Sequence, residues 1–305
     1  MKRVVIASDG STGAEEAAWL LSHLPHRDKL HLTILTVLQI PAVYAHGAPN
    51  AMSGSVDRER QAAESAFKRI EAMFDGANVD IQHVMREGHR GKTIVQVARE
   101  DDADLIVVGA RGHSKIRRLL LGSISDYVAT HGHCSVLVVR PTGIREDKRA
   151  IRVAIGFEDS DPARASLQEF CETPLGGQSQ VHLLSVVSYV SAFLNEIVVE
   201  ADDTKAAALK ALEQAAHQVA SCAPNVQQHL IESDHIGEGI IEFIDEHGID
   251  LVVVGESSHS AIGRVLLGSV SRFVLRHSPC SVWVTRNRAM TVEAADSGAQ
   301  TEADP

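Results

Sequence analysis

Three blocks of this chain occur twice, in the same order and at one spacing. Asp104-Leu-Ile-Val-Val-Gly109 recurs as Asp250-Leu-Val-Val-Val-Gly255, Leu120-Leu-Gly-Ser-Ile-Ser125 as Leu266-Leu-Gly-Ser-Val-Ser271, and Cys134-Ser-Val-Leu-Val-Val-Arg140 as Cys280-Ser-Val-Trp-Val-Thr-Arg286. From Gly88 to Arg140 roughly half of the positions match their second copies. The openings correspond too, Val4-Val-Ile-Ala-Ser-Asp9 with Val153-Ala-Ile-Gly-Phe-Glu158. A repeat of this length is a whole domain, so 305 residues are expected to fold as two copies of one unit. The copies are bounded at 1–140 and 150–286, with a polar linker over 141–149. The acidic, Ala/Thr/Ser-rich tail over 287–305 has no apolar periodicity and is expected to be disordered.

Within each copy, strand-like and helix-like stretches alternate, which predicts an α/β fold with helices covering a parallel sheet. In the first copy the strands are expected at Arg3–Ser8, Leu30–Leu38, Val79–Arg86, Asp104–Val108 and Ser135–Val139. Helices are expected from Thr12, over Asp57–Phe74, over Thr93–Arg99 and over Ser123–Thr130. Thr12-Gly-Ala-Glu15 reads as a capping box. Gln39–Val56, with its Pro, Gly, Asn and Ser, reads as a long loop. In the second copy Asp161 reads as an N-cap, followed by Pro162 at the first helical position.

An apolar content of 44% with 4% aromatics suits an aliphatic core between helices and a parallel sheet. A net charge of −11 argues against a general binder of nucleic acid or anionic membrane, which needs clustered Lys and Arg. The apolar runs are too short to cross a bilayer. The start at Met1 reads as a buried strand and not as a secretory leader. Cys134, Cys171, Cys222 and Cys280 lack C-x-x-C spacing and read as core thiols of a reduced, cytoplasmic protein. The 16 histidines are dispersed, and His131 and His133 lack the spacing of a helical metal site.

The chemistry concentrates after the fourth strand. Gly109-Ala-Arg-Gly112 is followed by nine residues and then by Gly122-Ser-Ile-Ser125. The first glycine lets the chain turn at the strand end, and the second lets backbone approach a ligand with no Cβ in the way. Gly122-Ser123 opens a helix, where free N–H groups and the dipole favour phosphate. The Ser123 and Ser125 hydroxyls offer two further donors. Open α/β sheets bind ligands beyond the carboxyl ends of their strands, which is where this motif falls. Gly88-His-Arg-Gly-Lys-Thr93 looks like the end of a Walker A loop, but Arg86 stands where that motif needs glycine, so it reads as a turn.

Glycine, two residues, glycine, nine residues, glycine, serine resembles the ATP-binding signature of the universal stress protein family. The resemblance runs through both copies and includes Asp9-Gly-Ser11 after the first strand. It implies two Rossmann-like domains, each a five-stranded parallel sheet with strand order 3-2-1-4-5. It also implies that the two halves pair through their fifth strands, leaving open whether the paired chain dimerises again. By position, Asp9 would meet the ribose or adenine end and Val37 the adenine, with Ala7, Ser8 and Val108 completing the strand ends. Gly109, Arg111, Gly112 and His113 would run along ribose and phosphates, and Gly122, Ser123, Ile124 and Ser125 would hold the terminal phosphates. The ligand implied is ATP, with or without Mg2+. The function implied is a cytoplasmic stress-response protein that acts as a nucleotide-dependent switch or sensor on an unidentified protein partner, with at most slow hydrolysis.

The second copy departs from the signature. It keeps Gly255, Gly268, Ser269 and Ser271, but Ser258 replaces the second glycine, Glu158 stands for Asp9 and Phe157 for Ser8. Arg111, Lys115, Arg117 and Arg118 correspond to Ser257, Ala261, Gly263 and Arg264. This copy is therefore expected to bind ATP weakly or not at all and to act as a structural partner. Two rival functions remain. A nucleotide α-hydrolase or adenylyl transferase would need a His-x-Gly-His motif where Ala7-Ser-Asp-Gly10 stands. A scaffold that binds no nucleotide would not need the intact first motif.

Overall fold

The computed structural model describes residues 2–24, 28–38, 49–112, 121–147, 149–173, 179–188, 201–256 and 267–286, without the side chains of 49–55 and 201–202. The chain divides into two compact units. One contains the residues up to Arg140 except 133–135, and the other contains His133–Ser135 and the residues from Pro141 onward.

The first half runs β1 (Arg3–Ala7), α1 (Thr12–His23), β2 (Leu30–Leu38), α2 (Pro49–Glu71), a short 3-10 turn (Ala72–Phe74), β3 (Val79–Glu87), α3 (Arg90–Glu100), β4 (Leu105–Gly109), α4 (Ser123–His131) and β5 (Ser135–Val139). Its strands lie in the order β3-β2-β1-β4-β5. β1 is parallel to both β2 and β4, with Val4 opposite Leu32 on one side and Leu105 on the other. Parallel neighbours need long crossovers, and the helices supply them. α1 packs with α2 and α3 with α4, so helices cover both faces of the sheet. The central strands are accordingly aliphatic throughout, with Val4, Val5, Ile6, Leu105, Ile106 and Val107 all buried. At the edge, β3 alternates between half-buried and exposed residues.

The second half repeats the plan. After a short helix α5 (Ile144–Asp147) come β6 (Arg152–Gly156), α6 (Asp161–Glu172), β7 (Gln180–Val187), α7 (Ala201–Ala220), β8 (Val226–Glu232), α8 (Ile236–His247), β9 (Leu251–Gly255), α9 (Ser269–His277) and β10 (Ser281–Thr285). Its order is β10-β9-β6-β7-β8, the mirror listing of 3-2-1-4-5.

The aspartate that opens the repeated strand block has a structural task. Asp104 Oδ2 accepts from the backbone N–H groups of Lys2 (2.6 Å) and Arg3 (2.9 Å), tying the start of β4 to the start of β1. Asp250 does the same for β6 through Arg152 N (2.9 Å). It adds a two-pronged pair with Arg149, at 2.6 and 2.8 Å. Buried charge is tolerated there because both oxygens have donors.

Several local expectations are corrected. The cap of α1 is Ser11, whose Oγ accepts from Ala14 N at 3.3 Å, and not Thr12. The cap of α6 is likewise Ser160, which places Asp161 and Pro162 inside the first turn. In both cases the serine one residue earlier reaches the free N–H with extended backbone, which the following residue cannot do once it is helical. The expected loop over 39–56 ends early, because α2 begins at Pro49, and residues 39–48 lie outside the described residues. The linker contains α5. Cys171 and Cys222 are joined by a disulfide with Cα atoms 5.3 Å apart, so two of the four expected thiols are paired. Only the fold brings positions 51 residues apart together. Cys134 and Cys280 are buried thiols.

The fold also gathers histidines that looked dispersed. His182 Nδ1 lies 3.1 Å from His229 Nε2, and His247 stacks on Phe243 beside both rings. Burial, with the charges of His229, His247 and Arg152, lowers the His182 pKa from 6.5 to about 4. An unfolded chain therefore takes up more protons than the folded one between these values, and acid erodes stability through that window. Glu169, which burial pushes up to about 7, acts in the opposite sense. The His182 share is the difference from a His182→Gln variant. Urea unfolding between pH 7 and 4 should show stability falling with acid more steeply in the wild type than in the variant, and parallel profiles would contradict this.

Candidate functional site

β1 and β4 are adjacent, yet their following helices leave toward opposite faces of the sheet, and a cleft opens between the strand ends. In the first half this cleft is a cavity of about 460 Å3. The carboxyl ends of β1, β2 and β4 form its floor, with Ala7, Ser8, Leu35, Val37, Val108 and Gly109. The first turns of α3 and α4 border it, through Arg90 and Ile94 and through Ser123–Ser125.

Close backbone approach at its base depends on glycine. A Cβ at Gly109 would lie 2.7 Å from the carbonyl carbon and oxygen of Gly13 in α1, and one at Gly13 would strike the carbonyl oxygen of Arg111. A Cβ at Gly112 would strike Asp9 Oδ2, so the loop after β4 passes directly over that carboxylate. The Asp9 Oδ1 accepts from Ser11 N at 3.0 Å, while Gly10 takes a left-handed φ of 76° to complete the turn.

The start of α4 is held by two bonds. Gly122 N–H donates to Ala110 O at 2.9 Å, and Ser125 Oγ donates to Gly109 O at 2.8 Å. The first intrahelical bond is Asp126 N to Gly122 O. The N–H groups of Ser123, Ile124 and Ser125 consequently have no acceptor within the helix. This arrangement can bind an anion by backbone donors and helix dipole.

Ala7, Ser8, Asp9, Val37, Val108, Gly109, Arg111, Gly112, Gly122, Ser123, Ile124 and Ser125 all border this cavity, so the fold brings the expected constellation together. His113, Lys115, Arg117 and Arg118 lie outside the described residues. One expected role is corrected: the Ser125 hydroxyl is buried and donates to Gly109 O, so it is not a spare phosphate donor. Sequence reasoning missed Arg90, Ile94 and Gly13. Arg90 lay in the Gly88–Gly91 segment that reads as a turn, and only the packing of α3 shows that it faces the cavity.

The second half builds the same scaffold with different chemistry. Ser271 Oγ donates to Gly255 O at 2.6 Å and Arg272 N to Gly268 O at 2.9 Å, matching the Ser125 and Asp126 bonds at the start of α4. Its cavity is smaller, about 270 Å3, and Gly255, Gly268, Ser269 and Ser271 line it as expected. Phe157 and Glu158 replace Ser8 and Asp9, Glu256 replaces Ala110, and Ile236 replaces Arg90. No cation borders this cavity among the described residues. Burial raises the pKa of Glu256, with Arg286 acting against the shift. Residues 257–266, including Ser258, lie outside the described residues.

Comparison with known proteins agrees with this fold. The model of the universal stress protein family matches residues 1–140 and again 150–286. A universal stress protein of Methanocaldococcus jannaschii is 30% identical over 139 residues, 46% of this chain and 82% of the relative. One from Synechocystis is 50% identical over 81 residues, 27% of this chain and 74% of the relative. A solved universal stress protein structure from Archaeoglobus fulgidus aligns over 93% of this chain and 96% of its own, with TM-score 0.64 and 18% identity, a likeness of fold. Among the described residues no helix is long and apolar enough to cross a membrane.

The two glycines that end β4 and β9 should respond unequally to alanine. At Gly109 the new Cβ meets backbone at 2.7 Å, whereas at Gly255 its nearest neighbour at 2.7 Å is Ser166 Oγ, a side-chain atom that can turn aside by giving up its bonds to Pro162 O and Thr285 Oγ1. Gly109→Ala should cost about 1–3 kcal/mol in urea unfolding and Gly255→Ala clearly less. Equal losses would show that the close approach of α1 and β4 is not what requires glycine.

Proposed function

The chain belongs to the universal stress protein family, and we propose that its first half binds ATP and works as a nucleotide-dependent switch or sensor in a stress response. The observation that carries this reading is the pair of backbone features at the end of β4. The loop Gly109–Gly112 runs over Asp9 with no room for a Cβ, and the start of α4 presents N–H groups of Ser123 and Ile124 to the same cavity. Such a site recognises phosphate through fixed dipoles. The apolar floor at Leu35, Val37 and Ile94 suits a flat base. In this reading Asp9 takes the ribose or adenine end, Val37 the adenine, and Gly122 and Ser123 the terminal phosphates, with Mg2+ as the usual companion of the triphosphate.

We read the protein as a binder, with at most slow hydrolysis. Among the described residues that border the cavity, Asp9 is the sole carboxylate. It already accepts a backbone bond and lies under the Gly112 loop, a poor position for activating a water. The second half, whose cavity is bordered by Glu158 and Glu256 and has Ile236 where Arg90 stands in the first, serves as a structural partner. From the family resemblance we further propose that the two halves associate through β5 and β10.

Gly122→Val tests the site. A Cβ at Gly122 already comes within 3.1 Å of Ala110 O, and a branched side chain has to displace either the loop or the ligand. Each charge-assisted bond lost is worth about 1.5–3 kcal/mol, so losing two takes a micromolar site beyond easy detection. Calorimetric titration should show ATP binding to the wild-type chain and none to the variant, with turnover well below about 1 s⁻¹. Unchanged affinity in Gly122→Val would overturn the site, and faster turnover would overturn the non-enzymatic reading.

A further inference from the structure

Arg90 is the first residue of α3 and borders the cavity of the first half. Among the described residues its Nε is a buried nitrogen with no hydrogen-bond partner. A buried guanidinium N–H without an acceptor is unfavourable, and arginine cannot relieve the cost by losing its proton. The side chain is thus a permanent cation at the border of a space that the start of α4 also lines.

Its place relative to those groups is set by helix packing. A Cβ at Gly91 would lie 2.7 Å from the ring of Tyr127 in α4, so the first turn of α3 sits hard against α4 at this point. Tyr127 follows Ser123 by one helical turn. The first turns of the two helices therefore border the same end of the cavity, with Arg90 on one and the free N–H groups of Ser123 and Ile124 on the other.

The second half supplies an internal control. A Cβ at Gly237 would lie 2.5 Å from the ring of Phe273, as one at Gly91 would lie 2.7 Å from that of Tyr127, so the helix packing is the same. The residue equivalent to Arg90 is Ile236, and it lines the smaller cavity. A structural duty common to both halves does not call for a cation at this position. A duty toward an anionic ligand in the first half does.

We propose that Arg90 reads the terminal phosphates of the nucleotide, so that the first-half site prefers ATP over AMP. This rests on the ATP reading above and deepens it. The backbone N–H groups of α4 hold one phosphate, and the planar guanidinium meets oxygens of the next as a two-pronged donor. AMP, which lacks the terminal phosphates, leaves Arg90 unused.

The test is competition of ATP and AMP for the full-length chain in wild type, Arg90→Met and Arg90→Lys. Arg90→Met should lower the ATP-over-AMP preference about tenfold or more, mostly by weakening ATP, and Arg90→Lys should recover part of it. Equal weakening of ATP and AMP in Arg90→Met would assign Arg90 a structural role and overturn the proposal, as would unchanged preference. A wild-type chain that binds neither nucleotide would overturn the ATP reading itself and this proposal with it. Wild-type ATP binding with unchanged preference in the variant would overturn this proposal alone.

Discussion

Two parallel strands with diverging connections set the terms for everything else in this molecule. β1 and β4 are buried neighbours, with Val4 opposite Leu105 and Ala7 opposite Val108. Their chains must leave the sheet at the same end and on opposite faces, which forces a cleft at that end whatever the side chains are. The glycines then decide how tightly the cleft closes at its base. Gly13, Gly109 and Gly112 allow α1, the end of β4 and the loop above Asp9 to approach as bare backbone. With the base held in this way, the Ser125 to Gly109 bond aims the start of α4 into the cleft. In the proposed function, anion affinity would come from fold and glycine placement before any charged side chain contributes.

The duplication separates scaffold from chemistry. Both halves keep the serine bond to the strand-end carbonyl, the aspartate that ties strand starts together, and the glycine that lets two helices meet. These features hold the sheet and its cleft, and their presence says little about a ligand. The residues bordering the cleft differ in sign and size. Ser8, Asp9, Ala110 and Arg90 become Phe157, Glu158, Glu256 and Ile236. Arg90, Arg111 and bare backbone border the first cleft, and the carboxylates of Glu158 and Glu256 with the ring of Phe157 line the second. One scaffold with differently charged linings is what the proposed division of labour between a binding half and a supporting half requires.

Much of this was legible in the sequence because it rests on local pattern. The repeated Asp-Leu-Ile/Val-Val-Val-Gly block marked buried strands, and the spacing from Gly109 to Gly122 marked the strand-to-helix connection around the cleft. What escaped reading depends on packing between distant segments. Arg90 is an ordinary surface-type residue until α3 is laid against α4. The pairing of Cys171 with Cys222, and the meeting of His182, His229 and His247, join positions with no periodic relation. Ser125 looked like a ligand donor because Ser123 does border the cleft, while two residues further around the helix the Ser125 hydroxyl turns back onto Gly109. The caps at Ser11 and Ser160 were misplaced by one residue, since several polar residues precede each helix and only backbone geometry selects among them.

The central claim is asymmetry: one scaffold used twice, with one nucleotide site. Its most direct test is the stoichiometry of ATP bound per full-length chain, measured by equilibrium dialysis at saturating ATP with wild type and Gly268→Val side by side. The account predicts one ATP per chain in both proteins, because the second cleft contributes no site. Two ATP per chain in wild type, falling to one in Gly268→Val, would contradict it and show that the acidic second cleft binds nucleotide despite its charge.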